Sequence, residues 1–143
     1  MTVADGRTDQ AAEHDGIRDL LAAYALRLDA DDVAGCLELF TDDGEFVVYG
    51  KTLIGRERIG RMFTRAPNGL HLIGAAHIEV RDATAVVRSQ VLFVEAGTQD
   101  IRPALYDDEL ISIDGQWRFR RRRCRFITAA GLSDAPQQEA QAQ

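Results

Sequence analysis

Along this chain the spacing of apolar residues changes once, from helical to alternating. Ile17, Leu20, Leu21, Tyr24 and Leu28 recur at three- and four-residue intervals, which predicts a first helix over about 15–30. Asp31 or Asp32 can N-cap a short second helix that carries Val33, Cys36, Leu37 and Phe40. "TDDGEFVVYG" reads as a turn and then a strand. "GRERIGRMF" (55–63) reads as a third helix with Ile59, Met62 and Phe63 inward, and "APNG" (66–69) breaks the chain.

Beyond that break the pattern is β. "LHLIGAAHIEV" (70–80), "TAVVRSQVLFV" (84–94), "ALYDDELISI" (104–113) and "WRFRRRRCRFI" (117–127) are long candidate strands. The link "RDA" is short, and Asp114-Gly115 is a strong two-residue hairpin turn. Three helices followed by a long antiparallel meander predict an α+β fold, with the helices packed on a strongly curved antiparallel sheet. Such a sheet forms a cone, and its open end is a natural internal pocket. One domain is expected over 15–132, with a flexible N-terminus at 1–14 and a flexible tail at 133–143.

Charge and composition narrow the partners. The chain has 143 residues, 45% hydrophobic, with a formal net charge of −6, so it can bury a core but lacks the clustered positive charge that nucleic acid or an anionic membrane demands. Cys36 and Cys124 lie in unrelated contexts, with no metal or disulfide spacing. "MTVADGRTDQAAEHD" has no apolar signal core, and no stretch approaches the ~18 apolar residues of a membrane span. A cytoplasmic location is expected. No G-x-G-x-x-G, Walker A, G-x-S-x-G or H-E-x-x-H motif occurs, so nothing points to a cofactor or a metal.

Candidate chemistry begins with Asp29. Arg18, Ala22, Ala25 and Asp29 form one helical row, which brings Asp29 to the edge of the buried face. It sits in the last turn, where the macrodipole disfavours a carboxylate. Asp31 and Asp32 differ, because capping the next helix explains at least one of them. His71 and His77 share parity on one strand with Ile73, Ala75 and Glu79, about 20 Å apart, and cannot serve one site unless a bulge intervenes. His71, flanked by Leu70, Leu72 and Ile73, is either a structural histidine or a general base. In "RFRRRRCRF" (118–126) a regular hairpin from Asp114-Gly115 places Glu109 opposite Arg120, Asp108 opposite Arg121 and Asp107 opposite Arg122. One of these arginines, with Arg122 as the candidate, can face the pocket and bind a substrate carboxylate or carbonyl.

The order "IRDLLAAYALRLD", "CLELFTDDGEF", "GRERI", "HLIGAAHIEV", "YDDELISIDGQWRF" resembles the SnoaL-like branch of the nuclear transport factor 2-like superfamily, over about residues 15–127. That branch includes scytalone dehydratase, hexachlorocyclohexane dehydrochlorinase and bile-acid 7α-dehydratase. The resemblance implies a cone of three helices and a curved sheet. It implies that Asp29 pairs with His71 as a catalytic dyad, and that Tyr24 is a pocket tyrosine. It also places Glu95 or Gln90 near a further substrate-binding position, and it gives His77 no role. In a coupled dyad Asp29 fixes the His71 tautomer and stabilises its imidazolium, so His71 is expected to titrate above ~6.5.

The expected activity is a cofactor-independent lyase or isomerase, dehydratase-like, acting on a small apolar cyclic or polycyclic molecule. A polyketide cyclase-like reaction is the neighbouring alternative. The non-catalytic alternatives are a small-molecule-binding module and a dioxygenase β-subunit-like assembly partner. A homo-oligomer, dimer or trimer, is also expected, because an open cone with an apolar sheet face tends to bury that face against a copy of itself.

Overall fold

The computed structural model describes residues 6–137; the expectations for 1–5 and 138–143 lie outside the described residues. Its elements run α1 (Gly6–Asp29), α2 (Val33–Leu37), β1 (Phe40–Val48), β2 (Lys51–Ile54), α3 (Arg56–Arg65), β3 (Gly69–Arg81), β4 (Thr84–Glu95), β5 (Ile101–Ile113), β6 (Gln116–Thr128) and β7 (Gly131–Ser133). Three helices pack on one large sheet of order β2-β1-β6-β5-β4-β3, with β7 paired to β6. The sheet is not closed into a barrel. The α+β reading holds, and β3 to β6 form the expected antiparallel meander. The sheet as a whole is mixed, because β1 runs parallel to β6. A parallel pair needs a long crossover, and the whole β2–β5 stretch provides it, so no local turn advertises it.

At both ends secondary structure extends beyond the predicted elements. α1 begins at Gly6 and not near residue 15. Its first turns are tied down by Trp117, whose Nε1–H donates to Glu13 Oε2 at 2.7 Å. At the other end Ser133 belongs to β7, and the Ala129 N–H donates to Gln137 Oε1 at 2.7 Å. These contacts are non-local, so periodicity does not reveal them.

At the end of α1 the chain turns through Asp31, which adopts a left-handed φ of 63°. An Asp tolerates this region better than most non-glycine residues. Asp32 then caps α2, its side chain accepting from the Gly35 N–H at 2.9 Å. Asp114 and Gly115 both have positive φ (51° and 80°), as the type I′ hairpin requires.

Besides an irregularity in β1 between Phe40 and Glu45, bulges in β6 and β3 set which of their side chains face inward. In β6 the pairs Ile113↔Gln116 to Leu110↔Phe119 are regular; then an extra residue shifts the register, so that Glu109 faces Arg121, Asp108 faces Arg122 and Asp107 faces Arg123. The expected pairing is therefore wrong by one beyond Phe119. Trp117 and Phe119 are buried before the bulge, and Arg122, Cys124 and Phe126 after it. In β3 the register slips between Ile73 and Ala76. That places His77 on the outer, exposed face, 4.0 Å from Glu79, and not on the His71 side. A bulge reverses side-chain parity, and period-two counting cannot see it.

The core lies between the helices and the concave face. Tyr24, Phe40, Phe46, Phe63 and Phe119 form an aromatic cluster with ring centroids 5.1–6.3 Å apart, many of them edge-on.

Candidate active site

The last residue of α1 meets the start of β3. Asp29 Oδ1 lies 2.6 Å from His71 Nδ1, and Asp29 Oδ2 accepts from the His71 backbone N–H at 2.8 Å. Both side chains are 16% exposed. An ionised carboxylate only accepts, so Nδ1 carries the proton and Nε2 keeps its lone pair. The unfavourable dipole at the end of α1 is thereby offset by two N–H donors from another strand. Among the described residues no protein group bonds Nε2.

His71 lines a cavity of about 590 Å³, on the concave side of the sheet. Its ring packs on Phe93 with centroids 4.7 Å apart and stands edge-on to Tyr24 at 6.4 Å. Further wall residues are mostly apolar, among them Leu28, Phe46, Leu53, Met62, Val91 and Phe126. Size and lining suit a small ring system. Burial lowers the His71 pKa, outweighing the opposite pull of Asp29; the charge of Arg122 pushes the same way as burial. The expected titration above ~6.5 is thus reversed, because removing the imidazolium from water costs more than one carboxylate returns. The lowered pKa favours the neutral imidazole, the form a base needs.

Tyr24 is buried with its ring in the cavity wall, and Tyr106 packs edge-on to it at 5.9 Å. Desolvation raises the Tyr24 pKa well above the ordinary phenol value, with the neighbouring Tyr106 adding to it. Tyr24 is therefore a neutral hydrogen-bond donor.

The structure brings Asp29, His71 and Tyr24 together, and it separates the other candidates from them. Arg122 is fully buried beneath the wall and is committed to Asp108, with Nε to Oδ1 at 2.9 Å and Nη2 to Oδ2 at 3.3 Å. Its guanidinium stacks 3.6 Å over the Tyr106 ring and 4.2 Å over the Tyr24 ring, so it supports the tyrosines from behind the cavity wall, and its Nη1 has no hydrogen-bond partner among the described residues. Gln90 lies on the outer face, where its Oε1 accepts from the Ala75 N–H at 3.0 Å and ties down the β3 bulge. Glu95 sits at the end of β4, held by Arg102 at 3.8 Å and by the Thr98 hydroxyl at 3.3 Å, outside the cavity wall. The sequence reading missed Tyr106, Phe93 and Arg102 as wall residues. Tyr106 had a signal, an aromatic two residues before the buried Asp108 on an alternating strand.

Among the described residues no three His, Cys, Asp or Glu side chains converge as a metal site, and no helix is long and apolar enough to cross a membrane.

The fold and cavity are those of a small α+β domain with a pocket closed by helices, and the chain belongs to the SnoaL-like domain family, which matches residues 9–123. It is similar to a variant of Rv3472, a Mycobacterium tuberculosis protein of unknown function, at 30% identity and a TM-score of 0.81 over 87% of this chain and 78% of that one. It is also similar to a protein provisionally named a scytalone dehydratase from Novosphingobium aromaticivorans, at 25% identity and a TM-score of 0.77, covering 95% and 99% of the two chains. It shares the fold of hexachlorocyclohexane dehydrochlorinase LinA-type3 from Novosphingobium barchaimii LL02, at 20% identity and a TM-score of 0.73 over 92% and 94%. No functionally curated protein matches the sequence.

Proposed function

We propose that this protein is a cofactor-independent lyase of dehydratase type, acting on a small, largely apolar cyclic molecule. The observation that carries the reading is the 2.6 Å Asp29–His71 bond at the wall of an apolar cavity, with the imidazole held neutral by burial. His71 Nε2 takes a proton from a carbon next to a carbonyl. The C–H electron pair becomes the new double bond, and the β C–O bond breaks with its pair on oxygen. The imidazolium returns its proton to the departing hydroxyl, which leaves as water. Asp29 keeps the tautomer and steadies the transient imidazolium without itself taking a proton. Tyr24 donates a hydrogen bond to the carbonyl oxygen as charge develops there. The same dyad can form an enolate for a polyketide cyclase-like closure.

The similarity to a protein named as a scytalone dehydratase and the shared fold with a dehydrochlorinase support elimination as the reaction class. The test is turnover of cyclic β-hydroxy-carbonyl compounds by purified protein, followed by appearance of the conjugated product. Elimination by the wild type that vanishes in His71→Ala supports the reading. Tight binding with no turnover, equal in both proteins, would leave a binding module, and co-purification with an iron-containing chain an assembly partner.

For the self-association expected from the sequence, we propose the outer face of the sheet. Leu70, Leu72, Ile101 and Ile127 are exposed there, around a shallow depression that includes Leu92 and Pro103. A molar mass of two or three chains by light scattering, falling to one in Leu72→Asp, is the expected outcome.

A further inference from the structure

The cavity wall carries charge of the wrong sign for the chain as a whole. The protein has 23 acidic and 17 basic residues, yet five bases and only two carboxylates line the cavity. The bases are Lys51, Arg58, Arg61, Arg65 and Arg102. Of the carboxylates, Asp29 is taken up by His71, which leaves Asp31. Arg102 is engaged by Glu95. Among the described residues, the other four bases have no carboxylate within ion-pair distance. Arg56, the neighbouring base on the same helix, shows the contrast: it is paired to Asp42 at 3.0 Å and bonds the Phe40 carbonyl.

Helical geometry explains the cluster. Arg58, Arg61 and Arg65 are spaced three and four apart on α3, so they project along one face. The opposite face of α3 buries Ile59 and Phe63 in the core. Between these two faces lies Met62, which also lines the cavity. The cationic row therefore borders the apolar hollow, and Lys51 reaches it from the start of β2. Glu57 is the carboxylate that α3 itself carries, and it makes no ion pair with Arg58, Arg61 or Arg65. A cationic row left unpaired at a cavity edge is explained if the charge it meets arrives with the ligand.

We propose that the substrate is an amphiphilic anion: an apolar ring that enters the cavity toward His71, bearing a carboxylate or phosphate ester that rests among Lys51, Arg58, Arg61 and Arg65 at its edge. This rests on reading the cavity as the substrate site, and it names the substrate class. It also assigns a direction. The reacting carbon lies at the Asp29–His71 end and the anion at the α3 end. Arginine suits either anion, because its planar fork bonds carboxylate and phosphate oxygens in pairs.

Two fluorescent probes separate the contributions. 1-Anilinonaphthalene-8-sulfonate and N-phenyl-1-naphthylamine have the same aromatic body, with and without an anion. The wild type is expected to bind the sulfonate at least about tenfold more tightly, with the preference shrinking between 20 mM and 500 mM salt, as screening of several exposed charges requires. In Arg58→Gln/Arg61→Gln/Arg65→Gln the preference should fall to within about twofold, while the neutral probe binds as before. Unchanged binding of the neutral probe also shows that the variant is folded. Equal binding of both probes by wild type, or an unchanged preference in the triple variant, would overturn the proposal. Displacement of the sulfonate by 1-naphthoate or by 1-naphthyl phosphate then distinguishes the two anions; displacement no better than by 1-naphthol counts against both. His71→Ala should remove turnover while the preference for the sulfonate over the neutral probe persists, because the anion rests at the α3 end. A failure of the catalytic reading would thus appear as lost turnover sensitivity to His71, and a failure of the anion site as lost probe preference.

Discussion

Arg122 stands directly opposite Asp108 in the β5–β6 ladder, and both side chains are fully buried beneath the cavity wall. Burial pushes the Asp108 carboxyl up to about 6, against the pull of the Arg122 guanidinium. The guanidinium also covers the faces of Tyr24 and Tyr106. One ion pair therefore sets the floor on which the candidate catalytic tyrosine rests.

Removing one partner strands the other in the core. Asp108→Ala is expected to destabilise the fold by about 3–5 kcal/mol, read as a lower urea midpoint. The double change Asp108→Leu/Arg122→Met removes both charges and should recover most of that loss. If the double variant is no more stable than Asp108→Ala, the pair is not what the region depends on.

His71→Ala should leave the fold nearly as stable, because the side chain lies at a cavity wall and not in close-packed core. Turnover of an eliminated substrate should drop about 10²–10⁴-fold, the usual worth of a positioned general base. Circular dichroism beside the rate measurement separates the two effects.

Asp29→Asn tests the coupling through pH. In wild type, burial holds the His71 pKa below its ordinary value while Asp29 raises it. Removing the carboxylate should lower it further, so the acid limb of kcat/KM moves to lower pH as the rate itself falls. Stability has a definite sign as well. The unfolded chain binds a proton at the ordinary histidine pKa and the folded chain only below it, so the His71 contribution is lost as pH falls from about 6.5 toward the folded value. An NMR titration of the His71 ring that is identical in the two proteins would exclude the dyad.

Tyr24→Phe removes one hydroxyl and keeps the ring contacts to Phe40, Phe63 and Phe119. A kcat lower by about 10²-fold with little change in KM is expected if the hydroxyl bonds developing charge. Because burial holds this phenol protonated, wild-type activity should show no alkaline limb from Tyr24 below pH 10.

Much of the site was legible because it rests on local rules. Asp29 stands out as a carboxylate at the wrong end of a helix, and Asp32 as a cap. His71 stands out as a histidine amid apolar strand residues. The resemblance to the SnoaL-like branch joined Asp29 to His71, and the 2.6 Å bond agrees with that pairing. Arg122, Gln90 and Glu95 were placed by counting along a strand or from a relative, and neither method sees the protein partners their side chains meet, which are Asp108, Ala75 and Arg102.

By itself the sequence determined the three helices, the strand after the second of them and the antiparallel meander of four long strands, because helix period, strand alternation, caps and the Asp114-Gly115 turn act over a few residues; the short β2 and β7 carry no such signal. The tertiary structure alone decided the parallel β1–β6 pair, the bulges in β3 and β6 and hence which arginine and which histidine face inward. A bulge is one extra residue accepted where curvature and packing against the helices make a regular ladder unfavourable, and that balance is struck between segments far apart in the chain.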